Sequence, residues 1–309
     1  MSFSFYIHRM LKIGVIGLGD IAQKAYLPVL STKEFEVHLF TRDQVKLQHI
    51  GAKYRFSNLH VSLDSIISAG IQAAFVHTTT GSHDEIVTRL LNSNIHVYVD
   101  KPITYDFDST ERLLALAREK SLILEVGFNR RYAPAIQNLK SVSNPSMIIM
   151  QKNRKSLPGN VRTFIFDDFI HVVDTLLYLL PHPIEQLIVN GKKKDNLLYH
   201  VVVQFIFAEG CTAIGIMNRD SGVNEEKVEV FTSEEKRVVY NVTDAFIMKD
   251  KNEIKVGVND WESTLNKRGF EGIVDEFLRV VKLGDTRHQE NHGLTHKVCE
   301  EIVNELEAL

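Results

Sequence analysis

Short, continuously apolar runs alternate with amphipathic segments over the first part of the chain. The apolar runs predict strands at residues 12–16, 35–41, 73–77, 95–99 and 123–127. Helical periodicity predicts helices that end near residue 30 and that cover residues 44–52, 63–69, 82–92 and 107–119. Strands that are apolar along their whole length and are joined through helices are typical of a parallel sheet covered on both faces. The pattern therefore predicts a doubly wound α/β domain.

The pattern changes after about residue 128. Helices are predicted at 133–141, 164–180, 268–283 and 292–308, and strands at 146–152, 186–190, 198–207, 211–218, 226–232, 236–241 and 244–248. Because few helices separate these strands, we expect a second α/β domain with a large, mostly antiparallel open sheet. We predict a poorly ordered extension over residues 1–10, a first domain over 11–127 and a second over 128–309.

Composition narrows the class of protein. Hydrophobic residues make up 44% and charged residues 24% of the 309 residues, which are ordinary values for a globular protein. A formal net charge of −3 offers no broad basic surface for nucleic acid. Cys211 and Cys299 have no metal-ligand spacing, and two sparse thiols fit a reducing cytoplasm. We expect a cytoplasmic protein with no metal and with no nucleic-acid or membrane partner.

A glycine-rich turn follows the first predicted strand and opens a helix. Its sequence is Gly17-Leu18-Gly19-Asp20-Ile21-Ala22, a GxGxxA pattern. The first glycine permits the tight turn, the second lets the backbone approach a pyrophosphate, and the small third residue lets helix and strand pack closely. In this context the pattern predicts a dinucleotide site at a helix N-terminus. A tight turn without a ligand is the alternative.

The end of the second predicted strand bears on the choice of cofactor. NAD-binding domains usually place a carboxylate here to hold the ribose 2′-hydroxyl. This chain has Thr41-Arg42-Asp43 instead. A guanidinium suits phosphate oxygens, so Thr41 and Arg42 favour NADP. If Arg42 is solvated and Asp43 holds the ribose, the cofactor is NAD.

A lysine ends another buried strand, in the sequence Asp100-Lys101-Pro102. In open α/β sheets ligands bind outside the carboxyl ends of the strands, so Lys101 is directed toward a cleft. A partly desolvated lysine there can donate a hydrogen bond to a substrate oxygen or exchange a proton. Pro102 fixes the turn and is a candidate for a cis peptide bond. An ordinary surface Asp–Lys pair is the alternative.

Three ionisable residues interrupt an otherwise apolar helix. Asp167, His171 and Asp174 are spaced by four and three residues, which places them on one helical face. Burying such groups together is costly unless they are paired or take part in chemistry, and histidine is well suited to acid–base catalysis. A structural His–Asp pair is the alternative, and a metal site is less favoured because no third His or Cys has ligand spacing.

Together these motifs resemble the glucose–fructose oxidoreductase and inositol dehydrogenase (Gfo/Idh/MocA) family over about residues 11–309. The matching segments are Lys12–Ala22, Val76–Thr80 with His83, Asp100–Pro102, Val126–Tyr132, and Asp167 with His171. The departures are Asp100, where the family has glutamate, and Phe169, where it often has glycine. A phenyl ring at 169 is expected to narrow or redirect the substrate pocket.

The resemblance implies a Rossmann domain followed by a substrate-binding and oligomerisation domain. It implies NAD(P)-dependent oxidation of a sugar or polyol hydroxyl, or the reverse reduction, with Lys101, Asp167 and His171 as the catalytic group. The implied cofactor contacts, beyond the phosphate loop and the second strand end, are Thr78, Thr79, His83, Asp100, Pro102 and Asn129. Weaker candidates for the substrate are Arg131, Arg154 and Asp174, with Asn129 a further option. Alternatively, Arg130 or Arg131 forms a salt bridge between the two domains.

Two other classes of protein remain as alternatives. One is a catalytically silent NADP-binding regulator of the same fold, and the other is a methyltransferase, whose nucleotide loop also follows a first strand. The presence of Lys101 and His171 disfavours the regulator, and the missing acidic residue at the second strand end disfavours the methyltransferase. Because the sheet at about 186–248 needs a cover for its open face, we also expect a homodimer or homotetramer.

Overall fold

The computed structural model describes residues 10–257, 261–285 and 292–308. All but Met10 of the predicted extension therefore lies outside the described residues. The described chain divides into two compact units, of which one contains residues 10–103, 112–126 and 277–285 and the other contains the rest. The change of unit after Val126 falls next to the predicted boundary. Residues 104–111 belong to the second unit, residues 277–285 belong to the first, and residues 292–308 belong to the second again. The local sequence pattern does not indicate these changes.

The first unit is built on a parallel six-stranded sheet with the order β3-β2-β1-β4-β5-β6. Its strands are β1 (Lys12–Ile16), β2 (Glu36–Phe40), β3 (Asn58–His60), β4 (Ala73–Val76), β5 (His96–Val99) and β6 (Leu124–Val126). Every side chain of β4 and β6 is buried, as continuous apolar runs predict for a sheet covered on both faces. The predicted doubly wound sheet is confirmed.

Helices connect these strands. A π-helical turn, Ala22–Tyr26, leads into α1 (Leu27–Leu30), and it is followed by α2 (Gln44–Tyr54), α3 (Leu63–Ser68), α4 (His83–Asn92) and α5 (Phe107–Glu119). The side chains of Asp43 and Ser62 cap the N-termini of α2 and α3, respectively. The apolar faces of these helices pack on the sheet, with Leu47, Ile66 and Val87 fully buried.

The second unit contains an eight-stranded sheet with the order β14-β13-β12-β11-β7-β10-β9-β8. Its strands are β7 (Met147–Lys155), β8 (Ile184–Lys194), β9 (Leu197–Phe207), β10 (Thr212–Ser221), β11 (Glu225–Phe231), β12 (Lys236–Tyr240), β13 (Asp244–Lys249) and β14 (Asn252–Val256). Within the described residues of this sheet, β7 and β10 pair in parallel and the other neighbouring strands pair antiparallel. The mostly antiparallel sheet is confirmed, and β14 is an additional edge strand.

Helices cover one face of this sheet. They include α6 (Pro134–Lys140), α7 (Val161–Phe164), a π-helical segment Ile165–Phe169, α8 (Ile170–Leu179) and α11 (His292–Ala308). The short helix α9 (Thr264–Lys267) packs on α6, and α10 (Phe270–Leu283) continues into the first unit, where the Phe277 ring packs against Phe75 of β4 and Tyr98 of β5. A Cβ atom at Gly215 of β10 would lie 3.0–3.2 Å from Val172, Leu176 and Phe169, so α8 packs directly on the sheet. Within the described ranges, none of the helices is both long and apolar enough to cross a membrane.

Candidate cofactor cleft and catalytic residues

The turn after β1 requires glycine for steric reasons. Gly17 has a φ of +89°, and an added Cβ would lie 2.7 Å from both the carbonyl carbon of His77 and the amide nitrogen of Thr78. The ideal Cβ of Gly19 is 3.9 Å from its nearest neighbour, the His77 carbonyl oxygen, which leaves open space on that side of the turn. Ala22 is fully buried at the start of the following helix. Each small residue thus has the part that the GxGxxA pattern assigns to it.

A cavity of about 450 Å³ lies over this turn in the first unit. It is lined by Gly17, Leu18, Gly19, Phe40, Thr41, Arg42, Lys46, Leu63, His77, Thr78, Thr79, Ser82, Glu85, Ile86 and Arg89. Six of the predicted cofactor residues line it: Gly17, Gly19, Thr41, Arg42, Thr78 and Thr79. Asp20 and Ile21 are exposed, and Asp20 pairs with Lys24 at 2.6 Å. A glycine turn that a Cβ would fill, with a cleft above it, fits a dinucleotide.

The tip of β2 separates the two candidates for ribose recognition. The Asp43 carboxylate caps α2 by accepting a hydrogen bond from the Lys46 backbone amide at 3.0 Å. Arg42 and Lys46 line the cleft beside Thr41, and Arg89 of α4 lines it from another side. Arg89 pairs with Asp64, whereas Arg42 makes no ion pair with the described residues. The cleft therefore has a cationic side where a 2′-phosphate would lie.

A buried polar network holds the end of β5. Asp100 accepts a hydrogen bond from His77 Nδ1 at 2.8 Å and one from the Tyr26 hydroxyl at 3.3 Å, and Tyr26 also bonds to Tyr98 at 2.6 Å. Burial raises the pKa values of both tyrosines well above their usual range, so both hydroxyls stay protonated. The network fixes the residue before Lys101. Lys101 is half-buried, and the Lys101–Pro102 peptide bond is cis, as anticipated.

His83 holds the same segment from α4. Its Nδ1 lies 3.0 Å from the Pro102 carbonyl oxygen and 3.2 Å from that of Ile103, while Nε2 lies 3.1 Å from the Thr78 carbonyl oxygen. The ring is buried, and burial lowers its pKa. His83 and Pro102 therefore support the loops that border the cleft, and neither side chain is among the residues that line it.

In the second unit, the candidate acid–base residues lie where the helix changes its winding. The Asp167 carboxylate is in the π-helical segment and accepts a hydrogen bond from the Tyr105 hydroxyl at 2.8 Å. Asp167 and His171 are half-buried, which leaves them accessible to a small molecule. Asp174 is buried and is bound by Arg131 and by the Thr295 hydroxyl at 3.1 Å. The three residues thus divide into an accessible pair and a structural member.

The remaining candidates have partners inside the second unit. Arg130 pairs with Glu226 and Arg131 with Asp174, so the two salt bridges join parts of one unit. The Asn129 side-chain amide donates to the Arg268 carbonyl oxygen at 2.8 Å. Arg154 donates to Asp168 and keeps 39% of its side chain exposed.

The ring of Phe169 does not have the expected position. We expected it to narrow the substrate pocket, but the side chain is fully buried, and its Cζ would lie 3.2 Å from a Cβ at Gly215. Phe169 therefore fills the space that Gly215 leaves on β10, and the large residue on the helix complements a small one on the sheet.

Sequence reasoning did not single out several residues of the cleft, notably Lys46, Glu85 and Arg89. Lys46 could have been predicted from the sequence, because it lies in the first turn of α2, next to the β2 tip. Arg89 could not have been predicted, since only the fold brings α4 to the cleft. Asp168, which collects several cations in the second unit, was also overlooked beside Asp167.

Comparisons with known proteins agree with this geometry. Residues 11–128 match the family model described as an oxidoreductase family with an NAD-binding Rossmann fold, and residues 134–252 match a YceM-like C-terminal domain. The chain is 33% identical to the putative oxidoreductase YceM of Salmonella typhimurium over 286 residues, which cover 89% of this chain and 90% of that one.

Two further comparisons extend the likeness. The crystal structure of a Gfo/Idh/MocA family oxidoreductase from Vibrio cholerae has a TM-score of 0.90 and 31% identity, with 96% of this chain and 98% of that chain covered. A myo-inositol 2-dehydrogenase of Thermotoga maritima is 22% identical over 264 residues, 77% of this chain and 78% of that one.

Proposed function

The chain belongs to the Gfo/Idh/MocA family of oxidoreductases, and we propose that it transfers a hydride between NADP and a carbon of a sugar-like or polyol-like substrate. The observation that carries the proposal is the glycine turn at Gly17, above which lies a cleft with a cationic side. The similarity to a myo-inositol 2-dehydrogenase supports the polyol class.

The preference for NADP rests on the β2 tip. Arg42 and Lys46 line the cleft, and the Asp43 carboxylate already accepts a hydrogen bond from a backbone amide. A guanidinium and an ammonium bind a 2′-phosphate with charge-assisted hydrogen bonds, whereas a ribose 2′-hydroxyl calls for a carboxylate acceptor. Thr41 adds a neutral hydroxyl donor on the same side of the cleft.

The chain's own residues supply the proton chemistry. When bound, NADP accepts the hydride in oxidation or, in its reduced form, donates it in the reverse direction. His171 takes the proton from the substrate hydroxyl. The role of Lys101 is to donate a hydrogen bond to a substrate oxygen on which negative charge develops. Asp167 orients His171, and the Tyr105 hydroxyl holds that carboxylate in place at 2.8 Å. In the direction of reduction, His171 returns the proton.

The test of these roles is alanine substitution of Lys101 and of His171. Positioned acid–base groups contribute about 10²–10⁴-fold, so each variant is expected to lose at least about 10² in kcat with an unchanged dissociation constant for NADPH. Exposed Lys194 and His49 provide matched controls, which are expected to keep full turnover as alanines. Near-complete turnover in Lys101→Ala or His171→Ala would overturn that residue's role.

We further propose that the second unit's sheet joins two copies of this chain. Gly215 faces α8, so its neighbours on β10, Ile214 and Ile216, face away from the helices, and both are only half-buried. Apolar side chains in the middle of a broad sheet favour burial, which a second identical sheet supplies with a symmetric, self-complementary contact.

Two free thiols, Cys211 and Cys299, support a reducing cytoplasm as the compartment in which the protein acts.

A further inference from the structure

Asp168 is the centre of a cluster of cations on the helix-covered face of the second sheet. Its carboxylate is paired with Lys152, with Arg154 at 3.1 Å and with Arg219 at 3.2 Å. These cations come from the ends of β7 and β10, which lie side by side in the sheet. Burial opposes ionisation of Asp168, but the charges of Lys152 and Arg154 hold its pKa far below the usual range, so the carboxylate is ionised at any physiological pH. Burial and the Arg130 charge lower the pKa of Lys152 to about 7, so Arg154 and Arg219 supply the two full positive charges beside this carboxylate.

A second carboxylate does not restore the balance. Glu226 accepts hydrogen bonds from Arg130 at 2.5 and 2.7 Å, a two-point contact that occupies both carboxylate oxygens. Arg268 lies close to this pair, because its carbonyl oxygen accepts a hydrogen bond at 2.8 Å from the side-chain amide of Asn129, the residue before Arg130. Arg268 makes no ion pair within the described ranges. Among the described residues, Arg130, Arg154 and Arg219 therefore share two ion-paired carboxylates, Asp168 and Glu226, and Arg268 pairs with neither.

The cluster also contains a donor with no acceptor. The Nε of Arg219 is buried and has no hydrogen-bond partner in the described part of the chain, while its guanidinium stacks over the Phe164 ring at 4.6 Å. A buried, unpaired N–H group costs free energy. Arg154, in contrast, is accessible, with 39% of its side chain exposed. An anion that approaches from the Arg154 side would relieve this excess of positive charge.

We propose that Arg154 and Arg268 bind an anionic group of the substrate, a carboxylate or a phosphate. The two parallel N–H groups of a guanidinium match two oxygens of either anion, and partial burial strengthens the attraction. That the bound anion is part of the substrate rests on the proposed hydride transfer. The position of the cluster supports this, since Asp168 follows Asp167 directly and precedes His171 by three residues on the same helical stretch. Asp168 positions Arg154, and Glu226 positions Arg130 beside Arg268.

The first experiment measures anion binding without any reaction. Inorganic phosphate and, separately, acetate are titrated calorimetrically at low ionic strength into protein saturated with NADPH, so that the cofactor cleft is filled. The dissociation constant is expected to rise at least about tenfold in Arg154→Gln and in Arg268→Gln, because each loses charge-assisted hydrogen bonds. Arg237→Gln is the matched control, since Arg237 bonds to Glu235 and Asn138 on another part of the sheet. Equal affinities in wild type and both cluster variants would overturn the proposal.

The second experiment measures turnover with NADP on D-glucose, D-glucuronate and D-glucose 6-phosphate, which differ in charge on one sugar ring. A higher kcat/KM for glucuronate identifies a carboxylate ligand, and one for the phosphate ester identifies a phosphate. Arg154→Gln is expected to raise the KM of the preferred anionic sugar at least about tenfold while the kcat/KM of neutral glucose stays unchanged. Preference for neutral glucose, with no effect of the substitution, would overturn the proposal.

The two experiments separate this proposal from the proposed function. If phosphate binding depends on Arg154 and Arg268 but none of the three sugars is turned over, the anion site is supported and the hydride-transfer proposal is contradicted for these sugars. If glucose is oxidised with NADP but neither anion binds at these arginines, the hydride transfer is supported and the anion site is overturned.

Discussion

At the scale of single residues, the cofactor cleft depends on one glycine more than on any charged group. Gly17 combines a positive φ with contact to the backbone of His77 and Thr78, neither of which can move without disturbing β4. Sequence reasoning identifies this residue correctly because the steric rule for the turn is local. The same reasoning cannot identify Arg89, whose place in the cleft depends on the packing of α4.

We predict that Gly17→Ala weakens NADPH binding by at least about tenfold, because a Cβ 2.7 Å from backbone atoms forces the turn to open and φ of +89° disfavours alanine. The readout is calorimetric titration with NADPH. Gly222→Ala is the control, since nothing lies within 4 Å of its ideal Cβ. Unchanged NADPH affinity in Gly17→Ala would mean that the cofactor does not bind over this turn.

At the scale of elements, strong patterns were predictable and weak ones were not. The buried strand Lys12–Ile16 and the helix Phe107–Glu119 have the predicted bounds, since each shows a clear apolar run or period. The short strand Asn58–His60 and the exposed edge strand Asn252–Val256 have no such run. The π-helical segment Ile165–Phe169 was read as a regular helix because periodicity does not report a local change of winding.

The elements around Asp168 carry a prediction about stability. Asp168→Asn leaves Lys152, Arg154 and Arg219 without their shared carboxylate, and breaking a buried ion pair from one side typically costs about 3–5 kcal/mol. Urea denaturation followed by circular dichroism gives the change in the free energy of unfolding. Asp20→Asn, which removes an exposed pair with Lys24, is expected to leave the free energy of unfolding nearly unchanged. Equal, small effects in both variants would contradict a buried network.

At the scale of the whole molecule, we expect two copies of the chain to associate through the open face of the second sheet. Ile214→Lys places a charge in the middle of that face and is expected to shift the mass measured by size-exclusion chromatography with light scattering toward that of one chain. Val45→Lys, on an exposed helix position of the first unit, is the control. A wild-type protein that elutes with the mass of a single chain would contradict this assembly.

Binding of NADP through the cleft over Gly17 is tested by a calorimetric titration of the protein with NADPH, NADP, NADH and NAD, repeated with Arg42→Gln. We predict tighter binding of the phosphorylated pair, and a loss of that preference in the variant, because Arg42 lines the cleft at the β2 tip. Preference for the unphosphorylated pair would contradict the assignment of Arg42 to the 2′-phosphate. Binding of none of the four nucleotides would contradict the proposed hydride transfer itself.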